Sequence, residues 1–374
     1  MFAWLAPILL AHAPVDSSGI DKAVEAALKR GDCPGAVVVI LHKDRVILRK
    51  AYGNRAVEPE KAAMTADAIF DLASLTKPIA TGTSLMLLIE QGKLRPEDKV
   101  AKHWPDFAAN GKQDVTVAHL MLHTSGLIAD NPIADYKDGR TKAMERIAAL
   151  KLEAPLGSRF RYSDVGFIVL GELVEKIGGM PVDRFAAEHV FRPLKMADTG
   201  FKPAASLRSR IAPTGKRGGK IILGEVHDPR AFAMGGVAGH AGLFAPADDL
   251  VRYSRMMLRH GELDGVRILK PETVKFFTAP HEVLPEKSPK LPRRFFRSYG
   301  WDVDTAYSGQ RGSVFPAGEG FGHTGFTGTS IWIDPKSQTA VIILTNRVHP
   351  ADKGSVLRVR REVADAAAAL VKDR

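Results

Sequence analysis

Two apolar runs near the start of the chain, Gly35-Ala-Val-Val-Val-Ile-Leu41 and Val46-Ile-Leu-Arg-Lys-Ala-Tyr52, flank the polar turn Lys43-Asp44-Arg45. That pattern, with its β-branched residues, predicts a β-hairpin. Just before it, Ile20, Val24, Ala27 and Leu28 recur at helical spacing between Ser17 and Arg30, and Gly31 closes the helix. The far end mirrors this arrangement. Gly328–Asp334 and Thr339–Thr345 flank Pro335-Lys-Ser-Gln338, a second hairpin, and a helix follows from about Gly354 to Val371. Its apolar face carries Val356, Val359, Val363, Ala366, Ala367 and Leu370.

The middle of the chain reads differently. A helix is expected after Ser74 to about Gly92, with Pro78 in an early turn where a missing N–H is tolerated. Short helical or loop pieces fill residues 95–160, including Val117–Leu127, and a helix spans Val165–Ile177 ahead of Gly178-Gly179. Residues 180–245 are punctuated by Gly and Pro, with a hairpin around Gly218-Gly219, and helices follow at about Pro246–Arg259 and Pro271–Thr278. Strands at both ends with helices between them predict an α/β (α+β) fold. Its termini meet in an antiparallel sheet flanked by the first and last helices, and the middle forms a mainly helical lobe. The expected organisation is a single domain over 17–374, with a sheet lobe at about 17–70 and 295–374 and a helical lobe at about 71–294. A site is expected in the cleft between the lobes.

Composition changes this picture little. The chain has 374 residues, 45% of them hydrophobic, enough for a large core. Its 53 Lys and Arg against 42 Asp and Glu give a formal net charge of +11. The basic residues are scattered apart from Arg208–Lys220 and Lys287–Arg297, which read as exposed loops or hairpins. Neither carries a nucleic-acid-binding pattern, so no nucleic-acid partner is expected. Cys33 is the only cysteine, which excludes an internal disulfide and a cysteine-based zinc site. Residues 1–16 read as a short signal or N-terminal tail: Met1–Ala13 is apolar and ends in Ala11-His12-Ala13, like the small-x-small end of a secretory signal, although a basic leading region is lacking. Export to the periplasm or the extracellular space is the expectation. No other stretch approaches the length of a transmembrane span.

Three stretches carry candidate chemistry. In Phe70-Asp-Leu-Ala-Ser-Leu-Thr-Lys-Pro78, Ser74 and Lys77 are three apart and share a helical face, which puts an amine beside a hydroxyl that needs a base to become nucleophilic. The same spacing also fits an ordinary helix start with a capping Ser and a solvated Lys. In Phe160-Arg-Tyr-Ser-Asp-Val-Gly166, Tyr162 and Asp164 point the same way if the segment is extended. A tyrosine near an ammonium can act as a general base, and the plainer reading is a buried Tyr beside an Asp that caps the next helix. Gly320-Phe-Gly-His-Thr-Gly-Phe-Thr-Gly-Thr329 is too rich in Gly for a regular strand; either backbone approaches a ligand there or the sheet is entered through a bulge. His119 and His123 have the spacing of a zinc-binding pair, but Leu120 stands where a zinc protease has Glu, so no metal is expected. No G-x-S-x-G, G-x-G-x-x-G or P-loop occurs.

Together, Ser74-x-x-Lys77, Tyr162-x-Asp164 and His323-Thr324-Gly325, in that order, resemble the serine β-lactamase and penicillin-binding protein superfamily. The likeness is to the branch with a tyrosine in its second motif: class C β-lactamases, D-alanyl-D-alanine carboxypeptidases, D-aminopeptidases and esterases. Leu122-His-Thr-Ser-Gly-Leu127 and Ala238-Gly-His-Ala-Gly-Leu-Phe244 agree with it. The resemblance implies the two-lobed β-lactamase/transpeptidase-like fold and a nucleophilic Ser74, with Lys77 and Tyr162 moving the proton. It also implies an oxyanion site at the backbone N–H groups of Ser74 and Phe326, a substrate-lining edge at Thr324 and Gly325, and no metal or organic cofactor. Two positions depart from the family pattern. Asp164 replaces the usual Asn and should hold Lys77 charged. His323 replaces the frequent Lys and removes a permanent cation that could grip a substrate carboxylate, which argues against strong β-lactamase activity. The expected substrate is a small peptide or ester, such as a D-amino-acid-containing or peptidoglycan-derived peptide. The alternatives are a β-lactamase, a broad carboxylesterase, or a penicillin-binding sensor that is acylated without turnover. The sequence does not set the oligomeric state.

Overall fold

The strand Gly35–His42 (β1) is buried along its whole length because both of its faces are covered. Ala36, Val38 and Ile40 point into one core, and Val37, Val39 and Leu41 into another. In the computed structural model, which describes residues 15–285 and 294–372, β1 lies near the middle of a nine-stranded antiparallel sheet. The other strands are Arg45–Ala56 (β2), Ala62–Ala63 (β3), His281–Val283 (β4), Phe295–Arg297 (β5), Asp302–Asp304 (β6), Phe321–Thr324 (β7), Ser330–Asp334 (β8) and Thr339–Thr345 (β9). Their spatial order is β4-β5-β6-β7-β8-β9-β1-β2-β3. The two ends of the chain pair in it, with Ala36 opposite Thr345 and Ile40 opposite Val341. Both expected hairpins are present, β1–β2 and β8–β9.

Helices Ser18–Arg30 (α1) and Leu357–Lys372 (α5) cover one face of the sheet. Ile20, Val24 and Ala27 pack there with Val359, Val363 and Ala367 against Val38, Ile40, Val341 and Ile343. The opposite face meets the helical part of the chain, whose main elements are Thr83–Glu90 (α2), Asp164–Gly178 (α3) and Ala247–Leu258 (α4). The sheet also takes in His281–Val283, which lies before the boundary expected at 295. The hairpin at Gly218-Gly219 joins two short strands, Lys216–Arg217 and Lys220–Ile221. Among the described residues no helix is long and apolar enough to cross a membrane. The Met1–Ala13 run, and with it the export signal read there, lies outside the described residues, as does most of the basic stretch before Arg294.

One close backbone approach fixes the loop behind the site. A Cβ on Gly239 would stand 2.0 Å from the Phe167 carbonyl oxygen, so only glycine lets this loop lie on α3. Thr81 Oγ1 then donates to the Gly239 carbonyl at 2.7 Å. Gly239→Ala is therefore expected to cost about 1–3 kcal/mol of stability, the range for overpacking. It should be read as a lower urea midpoint with an unchanged slope; an unaltered midpoint would mean that the loop can move aside.

Candidate active site

The short strand Ile69–Asp71 pairs with Leu243–Pro246, and the chain then turns sharply into the helix that leads to α2. Ala73 takes φ +47°, a left-handed conformation that costs a non-glycine residue on the order of 1–3 kcal/mol and must be held by its surroundings. The Asp71 carboxylate accepts the Ala73 N–H at 2.8 Å, and Thr76 Oγ1 donates to the Ala73 carbonyl at 2.6 Å. Ser74 follows directly, on a single tight turn. Lys77 opens a wide, π-type helical stretch, Lys77–Gly82, that runs into α2, with Pro78 in its first turn.

Lys77 is fully buried, yet its ammonium is satisfied on three sides. Nζ donates to Ser74 Oγ at 3.0 Å and to the His240 carbonyl at 3.1 Å, and it pairs with Asp164 Oδ1 at 2.5 Å. An ammonium has three protons, and here each has a partner. Burial alone would pull this amine down, but the Asp164 carboxylate and the Tyr162 oxygen outweigh it, and Lys77 is held above its ordinary range. Tyr162 is pushed up by burial and by Asp164, against the opposing pull of Lys77. In the resting state the pair is therefore neutral phenol and charged ammonium.

The plainer reading of Asp164 as a helix cap fails. Ser163 is the cap of α3: its hydroxyl accepts the Gly166 N–H at 3.0 Å, which frees Asp164 to face Lys77. The short helix Pro229–Ala233 is capped by Asp228, whose carboxylate also takes His240 Nε2 at 3.0 Å, so the His240 segment that offers a carbonyl to Lys77 is itself tied down. Asp164, Asp228 and His240 bring ligand atoms within 4.8 Å of one another, and the Lys77 ammonium is the cation paired with that cluster.

On the sheet side, His323 is buried on β7, with its ring 6.0 Å from that of Tyr162. Burial, with Arg297 and Lys77 nearby, holds it well below the usual imidazole range. Nδ1 lies 2.9 Å from the Thr324 carbonyl, which can only accept, so Nδ1 carries the proton and Nε2 is left as an unpaired acceptor. Position 323 thus places a neutral ring rather than a cation beside the cleft. Gly325 packs under the nucleophile turn, where a Cβ would meet Leu72 O at 2.5 Å, and Arg360 of α5 donates to the Gly325 and Thr329 carbonyls at 3.0 and 2.7 Å. Phe326 stands half exposed between the Arg347 guanidinium, 4.6 Å away, and the His227 ring, 5.6 Å away.

A cleft of about 420 Å³ brings together Ser74, Tyr162, His323, Thr324, Gly325 and Phe326. Lys77 and Asp164 lie behind Ser74 and Tyr162, in the floor. The cleft also holds Arg297, whose place sequence reasoning missed. Arg297 was read as part of an exposed basic loop. It is 1% exposed at the end of β5, with only Nη1 engaged, to Asp302 Oδ1 at 3.3 Å, while Nε and Nη2 have no partner. His123 stacks on Tyr162 at 4.5 Å, and its Nδ1 accepts the Ser163 N–H. Its companion His119 instead caps Val117–Met121 through Thr116, so the two rings serve different segments.

Residues 20–366 match the family model described as Beta-lactamase. The chain belongs to the Beta-lactamase family. An Escherichia coli K12 protein named "Putative D-alanyl-D-alanine carboxypeptidase" is 32% identical over 84% of this chain and 79% of its own length. A Bacillus subtilis protein named N-acetylmuramyl-L-alanine amidase is 32% identical over 88% of this chain and 80% of its own. A penicillin-binding protein homologue from Caulobacter crescentus superposes with a TM-score of 0.76 over 94% of this chain and 97% of its own, at 23% identity, a likeness of fold. The antiparallel sheet, the flanking helices and the serine-hydrolase class expected from the motifs are therefore established.

Asp164 generates a prediction within this family. Because its carboxylate favours the ammonium, the supply of neutral Lys77 rises with pH, and hydrolysis should rise with it. Asp164→Asn should move that alkaline rise about one to three pH units downward. A rate–pH profile for p-nitrophenyl acetate that stays in place in the variant would show that Lys77 does not set the rate.

Proposed function

We propose that the protein hydrolyses amide or ester bonds through an acyl-enzyme on Ser74, and that its substrates are peptidoglycan-derived or D-amino-acid-containing peptides. The observation that carries the reading is the buried Lys77 amine 3.0 Å from Ser74 Oγ, in a cleft that also contains Tyr162. Lys77, once it has lost a proton, takes the Ser74 proton as Oγ attacks the substrate carbonyl, and Tyr162 gives its proton to the leaving group and regains one from Lys77. A water, its proton taken by the same pair, then attacks the acyl carbon, and Ser74 Oγ leaves and recovers its proton. The N–H groups of Ser74 and Phe326 receive the negative charge on the carbonyl oxygen, where one donor is worth about 3–4 kcal/mol of transition-state stabilisation. Thr324 and Gly325 align an extended substrate along the edge of β7.

Arg297 supports the choice of an acidic peptide. The cation missing at position 323 has a replacement in a buried guanidinium with two unengaged nitrogens, suited to a carboxylate. The names of the E. coli and B. subtilis relatives, "Putative D-alanyl-D-alanine carboxypeptidase" and N-acetylmuramyl-L-alanine amidase, support the same choice. Export, read from the N-terminal run, would put the enzyme where such substrates are made and trimmed. A second reading, a broad carboxylesterase, is favoured by the apolar mouth of the cleft, where Phe326, Tyr307 and Leu357 are 52%, 54% and 67% exposed.

A hydrolysis screen of muropeptides, D-Ala-D-Ala peptides, short-chain esters and nitrocefin separates these readings, and a fluorescent penicillin shows whether a stable adduct forms without turnover. Ser74→Ala should abolish turnover of every substrate, and activity surviving in it sinks the acyl-enzyme. Lys77→Ala should lose at least about a hundredfold in kcat, the scale of a positioned base. Arg297→Gln should raise KM for a carboxylate-bearing peptide at least about tenfold, with a smaller effect on a neutral ester. Equal effects on both would remove Arg297 from substrate recognition.

A further inference from the structure

Asp71 is 2% exposed and belongs to none of the three motifs. Its two carboxylate oxygens serve two different segments. Oδ1 accepts the N–H of Ala73, the left-handed residue directly before Ser74, at 2.8 Å, and Oδ2 accepts the N–H of His227 at 2.7 Å. The His227 ring stacks against Phe326, whose N–H is the second oxyanion donor in the reading above. The backbone beside this carboxylate ties in the same loop, since Thr327 Oγ1 donates to the Asp71 carbonyl at 2.7 Å and Thr329 Oγ1 to the Leu72 carbonyl at 3.0 Å. The nucleophile turn and the His227 segment therefore converge on one buried carboxylate, and the oxyanion loop is tied to the backbone beside it.

Resting on the acyl-enzyme reading, we infer that Asp71 is a positioning residue whose ionised carboxylate sets the spacing between the Ser74 and Phe326 oxyanion donors, so that catalysis requires this carboxylate to be charged.

The argument from hydrogen-bond capacity is direct. A carboxylate has two acceptor oxygens, and here each faces an N–H donor. A proton on either oxygen, or an Asn amide in its place, points a donor at a donor, and one of the two segments is released. Released at Ala73, the strained turn carrying Ser74 relaxes; released at His227, the ring that flanks Phe326 is free to shift. A displacement of a fraction of an ångström at an oxyanion donor lowers kcat while leaving ground-state binding nearly intact.

The surroundings place the titration in an accessible range. Burial pushes Asp71 up to about 6, against the two N–H groups that favour the charged form. Asp228 pushes in the same direction as burial, and Arg217 opposes it. The His227 ring is held below its ordinary value by burial, against the pull of Asp228, the neighbouring strand contributes apolar Phe244, and the oxyanion loop contributes the hydroxyls of Thr327 and Thr329. Because the folded value lies above the unfolded one of 3.8, the stability linked to this group is present in acid and is lost as pH rises through about 6. Activity and stability thus respond to Asp71 with opposite signs.

The test is kcat and KM for p-nitrophenyl acetate between pH 4.5 and 9, on the wild type and on Asp71→Asn, with Tm followed over the same range. In the wild type, the slope of log kcat against pH should steepen by one below about pH 6, and its Tm relative to that of Asp71→Asn should fall as pH rises through the same region. Asp71→Asn should lose at least about tenfold in kcat at pH 8 with KM within about twofold, and should show no break in slope. Thr327→Val, which leaves the carboxylate in place, should keep the break and the Tm trend. An Asn variant with kcat within twofold of wild type, or with the break unmoved, overturns the inference. If that variant does not fold, the wild type decides alone, since a log kcat profile without a break near pH 6 also overturns it. Ester hydrolysis that persists in Ser74→Ala overturns the acyl-enzyme reading and is distinguishable from both.

Discussion

A charge buried out of reach of water must be paid for in partners, and the Lys77 ammonium organises this molecule by that requirement. Its three protons go to Ser74, to the His240 carbonyl and to Asp164, which sit on the nucleophile turn, on the glycine-rich loop before Leu243–Pro246, and at the start of α3. Each of those supports is itself held in place. Ser163 caps α3, Asp228 anchors His240, and Gly239 packs without a side chain on Phe167. A change in any one of them would leave a buried cation short of a partner, which costs more than losing an exposed contact.

The same accounting explains why the two departures from the family pattern belong together. With Asp164 in the second motif, the cleft floor already contains a tightly paired ion couple. With His323 neutral, the sheet edge adds no further positive charge beside it. The guanidinium groups that line the cleft, Arg297 among them, come from other segments.

Much of this was legible in the sequence where the signal is local. Alternation and β-branching announced β1, β2, β8 and β9, and the spacing of Val359, Val363 and Ala367 announced α5. Ser74 and Lys77 were readable because three residues on a helix are also neighbours in space. Arg297 and His123 were not, because what makes each of them special is a partner or a cavity supplied by distant segments. A cation within a basic stretch looks solvated until the fold shows that β5 carries it inward. Ser163 took the cap expected of Asp164 because two adjacent polar residues offer the same local signal, and only tertiary contact with Lys77 separates them.

The pairing of the two chain ends in one sheet has a consequence for how the protein is made. Ser74 leaves the ribosome well before the strand edge beside it, residues 321–324, before residues 339–345 that pair with β1, and before the Arg360 side chain that pins Gly325. Contacts so far apart in sequence make for slow folding, with the helical middle able to collapse before its sheet exists. The nascent chain thus carries Ser74 on an unfinished scaffold until residues more than two hundred positions later have been made. An enzyme assembled in that order is protected from acting on whatever it meets while it is still tethered.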